Sequence, residues 1–503
     1  MLKKILALLL VLCMLVVIVA CGQTQNGDEG QTTEKTEQPT QAPGTSDDDP
    51  DALFQTIKDD LPVLNFENAE INVVVRSEER YYSEFIAEEG DSNVVSQAIF
   101  DRNLNVEERL GVLITYHPVG GGHGPWADIE TSIITGDCEY DLLAGSAMQG
   151  ATNFTKGLYK NLRNVEYLDL NKEYWAQGIL DNQTIAGATF GVTGSISTYF
   201  YDSAFVIYFN RVLAEAWGVS PDSIYDLVLN GEWTLDKMME ISKNIYQDDG
   251  DGVEDADDVF GCGIQVTSAT DGFGASCMIN LVSETEDGLQ IAMDIARVSD
   301  VVTKLNSFIW DNPGVCALAE NSNYVTNDIY LLDQQFANDK LLFVTDWLYS
   351  TSTMTMRDME SDFGVLPYPK YDVDQEYATY VHDKYTLFAI PVSVSAERVS
   401  MIGAFMEAMA SEGHNLVMPA YYEKALTSRY IRDPESVLTM DIIVRNITVD
   451  KLWSLASDIP RYCIRQLIWD KSTDVVSTYR KYYSNSQKTL DNLYVFYEQY
   501  ADN

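Results

Sequence analysis

The sharpest chemical motif in the sequence is the run Gln247-Asp248-Asp249-Gly250-Asp251-Gly252-Val253-Glu254-Asp255-Ala256-Asp257-Asp258. Registered on Asp251-Gly252, it has the spacing of a calcium loop. Side-chain oxygens come from Gln247, Asp249, Asp251, Asp255 and Asp258, Gly252 sits at the turn, and Val253 follows to offer its carbonyl. A hard cation of this size takes roughly six to eight oxygens, and the glycine lets the chain bend around it. Two departures weaken the match: Gln247 stands where Asp is usual, and Asp258 stands where a longer Glu is usual. The expectation is a structural calcium clamp. The alternative is an acidic surface loop, common in a chain this acidic.

Other motifs point to less chemistry. Gly120-Gly121-Gly122-His123-Gly124 has the look of a phosphate cradle, but no Lys-Ser/Thr follows it, so a flexible loop is expected. There is no GxSxG and no HExxH, and the four histidines give a zinc site little support. Beyond Cys13 and Cys21 the cysteines are Cys138, Cys262, Cys277, Cys316 and Cys463, scattered and without CxxC spacing. Buried free thiols are the preferred reading, with a Cys262–Cys277 disulfide as the alternative. The net charge is −44, which repels phosphate backbones and anionic lipid, so no nucleic-acid partner is expected.

The elements that position such residues alternate. Ile71–Val75 is a nearly continuous apolar run, as a strand buried on both faces requires. Val95, Ile99, Val106 and Leu110 then share one helix face, with Arg102, Glu107 and Glu108 placed elsewhere. A strand at Val112–Tyr116, a helix around Ile129–Thr135 and a strand at Tyr140–Ala144 complete a β-α-β-α-β order, which implies a mainly parallel sheet. Phe205–Phe209 reads as a further strand and Leu213–Trp217 as the start of a helix. Thr234 can cap a helix carrying Leu235, Met238, Ile241 and Ile245, with Trp233 in the core beside it. Strand-like runs return at Leu341–Thr345, Phe363–Leu366 and Thr386–Ile390. A strong helix follows over Glu397–Ser411, and the end of the chain is mostly helical.

The N-terminus carries an address. Lys3 and Lys4 precede an apolar run from Ile5 to Val19, and Ala20 precedes Cys21. Ile18-Val19-Ala20-Cys21 resembles the bacterial lipobox, where the signal peptide (1–20) is removed and the cysteine is acylated with fatty acids such as palmitate. An uncleaved span is the alternative. Residues 21–65 read as the lipidated Cys21 and a flexible acidic linker, too poor in apolar side chains to fold. The expected location is the extracellular face of a cell membrane, probed by Cys21→Ser.

The order of segments resembles the extracellular solute-binding proteins of bacterial ABC importers, the sugar-type family common in Gram-positive gut bacteria. Ala98–Asn103 with Val106–Val112, Glu139–Ala144, Phe205–Asn210 with Leu213-Ala214, and Gly231–Asp236 carry the likeness. Late in the chain it rests on Pro419–Glu423 and Arg432–Ser436. The resemblance implies an α/β, two-lobed periplasmic-binding-protein-like fold (type II). Each lobe is then a mixed sheet flanked by helices, and a hinge joins them. Lobe 1 maps to 66–196 and 340–393, lobe 2 to 197–339 and 394–503. It further implies a ligand cleft lined by the loops after the strands. Rings there pack on the C–H faces of a sugar while carboxylates and amides bond its hydroxyls. By loop position the expected ligand-binding residues are Glu79, Tyr81, Gln149, Tyr201, Asp202, Trp347 and Asp383, with Trp310 from lobe 2.

The function so implied is capture of a carbohydrate, an oligosaccharide by expectation, for delivery to the permease subunits of an ABC transporter. The chain would act as a monomer and not as an enzyme. Two alternatives keep different outputs: a ligand-sensing lipoprotein that docks to a sensor kinase, and a secreted glycoside hydrolase using two carboxylates.

Overall fold

The structure is a computed structural model that describes residues 55–277, 279–318, 331–427, 434–455 and 458–501, all within one unit spanning Asp49–Asn503. The expectations for Cys21, the signal peptide and the linker up to residue 54 lie outside the described residues. Among those described, no helix is long and apolar enough to cross a membrane.

Two sheets organise this unit. The first has the order β12-β3-β1-β2. Strands β1 (Ala69–Arg76), β2 (Val112–Val119) and β3 (Leu142–Ser146) are parallel, and β12 (Thr386–Ala389) returns antiparallel to β3. The apolar run of β1 behaves as its composition dictates: Ile71, Val73, Val74 and Val75 are buried, and β-branched side chains suit such a packed surface. The helix Val94–Leu110 starts on Asn93, whose side chain accepts the Val95 N–H, and stops at Gly111 in the left-handed region. Its predicted face is buried. Arg102 is buried too, against expectation, because the helix is covered on a second side by the chain around Glu84 and Ile196.

The second sheet runs β11-β4-β10-β6-β5, with β9 beside β6. Its strands are β4 (Phe205–Asn210), β5 (Tyr246–Gln247), β6 (Val259–Gln265), β9 (Val315–Leu318), β10 (Leu341–Trp347) and β11 (Phe363–Leu366). Strands β6, β9 and β10 are parallel, and β4 runs against β10 and β11. A small hairpin, β7 (Val282–Thr285) and β8 (Gly288–Ile291), stands apart. The cap at Thr234 is present, its hydroxyl accepting the Lys237 N–H at 3.3 Å, and Trp233 is fully buried. Cys138, Cys262, Cys277, Cys316 and Cys463 are all free.

The lobe boundaries differ from those expected. Within 340–393 only β12 joins the first sheet, while β10 and β11 pair with β4 and β6 of the second. Within 394–503 the helix Ala396–Glu412 belongs with the first sheet: Ile402, Phe405, Met406 and Met409 pack in one cluster with Ile71, Val73 and Val75. Strand periodicity marks a strand without saying which neighbour it pairs with.

The linker also ends earlier than residue 65. Ile57, Leu61, Leu64 and Phe66 pack against the core of the first sheet. The Ile57 backbone bonds both ways with Asn415, and its carbonyl also accepts the Ser411 hydroxyl, each at 3.0 Å. Asp59 receives both guanidinium nitrogens of Arg109, at 2.7 and 2.5 Å. The strap is held by a few apolar teeth spaced two to four apart, a pattern too sparse to stand out in a polar stretch. Replacing Leu61 and Leu64 together by Ser is expected to lower Tm by several degrees, at about 2–4 °C per kcal/mol lost. Val63→Ser, at a fully exposed position, is expected to leave Tm unchanged; calorimetry of both variants checks this.

Candidate functional site

In open α/β sheets a ligand sits outside the carboxyl ends of the parallel strands. Here those ends are Arg76 on β1 and Ser146 on β3 in the first sheet, and Gln265 on β6 and Trp347 on β10 in the second. One segment, Tyr380–Tyr385, joins the two edges. Its Tyr380 carbonyl accepts the Phe205 N–H at 2.9 Å and its His382 N–H reaches the Ser203 carbonyl at 2.8 Å. Its Asp383 and Tyr385 carbonyls accept the N–H groups of Met148 and Ala147 at 2.6 and 2.9 Å. The carboxyl edges of both sheets therefore meet around this segment.

Aromatic and cationic side chains gather there. Arg76 lies with its guanidinium carbon 3.7 Å from the ring centre of Tyr81, and Arg80 follows at 4.5 Å, as expected of cations over an electron-rich face. Tyr199 meets Tyr81 edge-on, with centroids 4.7 Å apart at 78°, and Tyr349 lies 6.4 Å beyond Tyr199. From the second sheet, the Trp347 ring is 4.4 Å from His382 and 6.0 Å from Phe205. Burial pushes the His382 imidazole below its ordinary pKa, opposed by Asp383, whose carboxylate lies 3.2 Å from Nδ1. Burial also raises the Tyr199 phenol.

The expected residues divide. Tyr81 and Trp347 belong to the aromatic group, and Asp383 flanks it beside His382. Glu79 is exposed on the turn Glu79–Tyr82 that follows β1. Gln149 is half-buried on the helix Ala147–Phe154 after β3. Tyr201 is buried, its hydroxyl 3.0 Å from that of Ser195, and Asp202 accepts the Tyr421 hydroxyl at 2.5 Å. Trp310 does not join them. It ends the helix that leads into the start of β9, the edge of the second sheet away from the cleft. There it donates to the Ile468 carbonyl at 2.8 Å under the Lys471 ammonium. Arg76, Arg80, Tyr199, Tyr349 and His382 are not among the expected ligand-binding residues, although all five lie in or beside the loops expected by position; loop position does not rank one side chain over another.

The acidic loop is ordered differently from the expected clamp. The carboxylates of Asp248, Asp249 and Asp251 lie within 4.8 Å of one another, and Gly252 has the positive φ of 76° that the turn requires. Asp258 is fully buried and turned inward, accepting from the Tyr246 hydroxyl at 3.0 Å and from the N–H groups of Asp249 and Asp255 at 2.9 and 3.2 Å. Gln247 pairs with Val259 as part of β5, Val253 is exposed, and Asp255 accepts the Asp257 N–H. Asp249 and Asp251 are thus brought together with Asp248, which was not among the expected ligands, while Asp258 pins the loop to the body.

A cavity of about 450 Å³ lies at the opposite, amino edge of the first sheet, beside Glu70, Asn72, Glu139 and Asp141. Its Arg398 is held by both oxygens of Asp141, at 2.7 and 2.6 Å, and it is remote from the aromatic group.

The sequence matches no protein-family model and no curated protein. Solved structures do match. UspC of M. tuberculosis shares 13% identity at a TM-score of 0.54, covering 84% of this chain and 100% of its own. A cyclo/maltodextrin-binding protein complexed with maltotetraose shares 11% at a TM-score of 0.52, covering 87% and 98%. UgpB of Mycobacterium tuberculosis in complex with glycerophosphocholine shares 13% at a TM-score of 0.52, covering 84% and 98%. At such identities the likeness is one of fold. The chain has the two-lobed, periplasmic-binding-protein-like α/β fold that these solved structures share.

Proposed function

We propose that this chain is an extracellular solute-binding protein that captures an oligosaccharide between its lobes and delivers it to an ABC-transporter permease. Lipid on Cys21 would hold it at the outer face of the membrane. The observation that carries this reading is the aromatic group of Tyr81, Tyr199, Tyr349 and Trp347 where the carboxyl edges of the two sheets meet. The half-buried rings of Trp347 and Tyr349 offer apolar faces to sugar C–H groups, with buried Tyr81 and Tyr199 completing the aromatic group, and Glu79, Gln149, Asp202, Asp383 and Arg80 supply polar anchors for hydroxyls. Walls from two lobes allow a ligand to favour a closed form over an open one, which is the only output a delivery protein needs. No bond is made or broken in this scheme. The match to a protein complexed with maltotetraose supports the ligand class. The match to one holding glycerophosphocholine makes a non-sugar the outcome to test against.

Melting curves with maltotetraose, cellotetraose, xylotetraose and glycerophosphocholine test it. A rise in Tm with an oligosaccharide is expected, because a ligand bound only by the folded state stabilises it. Tyr81→Ala and Trp347→Ala are expected to weaken that oligosaccharide by at least about tenfold, roughly 1.4 kcal/mol, and Trp310→Ala to leave it unchanged. Shifts with glycerophosphocholine alone would reject the sugar.

Calcium at the loop around Asp249 and Asp251 is part of the same proposal, as a clamp on the second sheet with no share in recognition. Calcium is expected to raise Tm over a chelator-treated sample, and Asp249→Asn with Asp251→Asn to abolish that rise. Equal melting with and without the ion would remove it from the scheme.

A further inference from the structure

One buried carboxylate links the cleft wall to two chain passages that border it. Glu84 lies just past the turn Glu79–Tyr82 and is 2% exposed. Its Oε2 accepts the Ser197 hydroxyl and the Tyr199 N–H, the latter at 3.1 Å. Its Oε1 accepts the Thr386 hydroxyl at 2.6 Å and lies 3.8 Å from the Arg76 guanidinium. Ser197 and Tyr199 belong to the first passage between the sheets, just before β4, and Thr386 begins β12 after the second. Arg76, itself 1% exposed, donates to the Lys384 carbonyl at 2.8 Å and to the Thr386 hydroxyl at 2.5 Å. Behind it, buried Arg102 donates to the carbonyls of Glu84 and Ile196 at 3.1 and 3.2 Å.

A buried charge is kept only when paired and fully hydrogen-bonded, and here the pairing has a geometric result. With Glu84 on one side, Arg76 is left lying over Tyr81 at 3.7 Å, while its carbon is 5.1 Å from the Tyr199 ring. The same carboxylate fixes the backbone of Tyr199, which stands edge-on to Tyr81. We infer that Glu84 is a positioning residue for ligand capture: through Arg76 it sets Tyr81, through the Tyr199 N–H it sets Tyr199, and it ties that aromatic wall to the first two passages between the lobes. This inference rests on the proposed function only for its ligand arm.

Three variants of the full chain test it by Tm, by amide exchange at Tyr199, and by binding of maltotetraose, cellotetraose and xylotetraose. Glu84→Gln leaves Arg76 buried without a counter-charge and is expected to lower Tm. Arg76→Met with Glu84→Met replaces both charges by side chains of similar volume, so Tm is expected to recover in part, the Tyr199 N–H and the Lys384 carbonyl staying without their partners. Positioning is expected not to recover: exchange at Tyr199 stays at least tenfold faster and oligosaccharide binding at least tenfold weaker than in the parent chain. Ser197→Ala removes one donor to Oε2 and also the hydroxyl that caps the Phe200 N–H at the start of the helix Thr198–Asp202, and it is the variant to use if the double change fails to fold. It is expected to lower Tm modestly through the lost cap, which exchange at Phe200 reports separately, and to speed Tyr199 exchange severalfold. Recovery of parent exchange and binding in the double variant, or unchanged exchange in Ser197→Ala, would make the pair a purely structural one and overturn the inference. If the parent chain binds none of the three sugars, the sugar reading falls, and the exchange measurement still decides the role of Glu84.

Discussion

The segment Tyr380–Tyr385 has to satisfy its backbone polar groups with two different sheets at once. A chain passing between lobes has no ladder of its own, and unpaired buried N–H and C=O groups are costly. Here Tyr380 and His382 pair toward the start of β4, whereas Asp383 and Tyr385 pair toward the end of β3, and the Lys384 carbonyl is taken by Arg76. The first half of the segment thus serves one lobe and the second half the other. The two groups of rings meet where Tyr349, two residues after Trp347, lies 6.4 Å from Tyr199.

Charge in this protein works at two scales. The net value of −44 is an average over the whole chain. It says little about the cleft, where Arg76 and Arg80 flank one tyrosine and Lys384 lies nearby in the passage. Guanidinium groups tolerate such burial because they are weakly hydrated and present flat, forked donors. Arg76 uses both properties, stacking on Tyr81 while its nitrogens reach Thr386 and the Lys384 carbonyl. A ligand that entered here would meet rings and mixed charge, not the acidic average of the chain.

Much of the architecture was legible in the sequence because burial on both faces leaves a mark. Ile71–Val75 and Phe205–Phe209 are runs that no exposed segment would carry, and the helix face of Ile402, Phe405, Met406 and Met409 has the period of a core. What was not legible depends on partners distant in sequence. Strands β10 and β11 look locally like any other strand, so their membership of the second sheet was missed. Arg102 sits on the polar side of its own helix, yet the chain around Glu84 and Ile196 covers it. Asp258 occupies a ligand's place in the calcium spacing, but Tyr246 and two loop amides claim its oxygens first. The loops expected to face a ligand follow from their place after strands, whereas the arrangement of their tyrosines depends on the contact between Arg76, Glu84 and Thr386, residues up to 310 apart.

The strap at Ile57–Phe66 bears on how an anchored protein of this fold could work. Its backbone is fastened to Ser411 and Asn415, at the end of the helix Ala396–Glu412 and in the π-helical turn Gly413–Val417 that follows. At that turn there is no room for a side chain on Gly413, because the Ser195 carbonyl of the first passage packs directly against it. Two stretches that leave the first sheet for the second therefore touch where the strap is tied. When two bodies rotate about a hinge, points near it move less than points at the outer rims. A tether entering beside these passages would be displaced little by closure, so under the proposed reading membrane attachment and ligand capture would not work against each other. Had the same chain been fastened to the rim of the second sheet, each closing motion would have had to drag the tether with it.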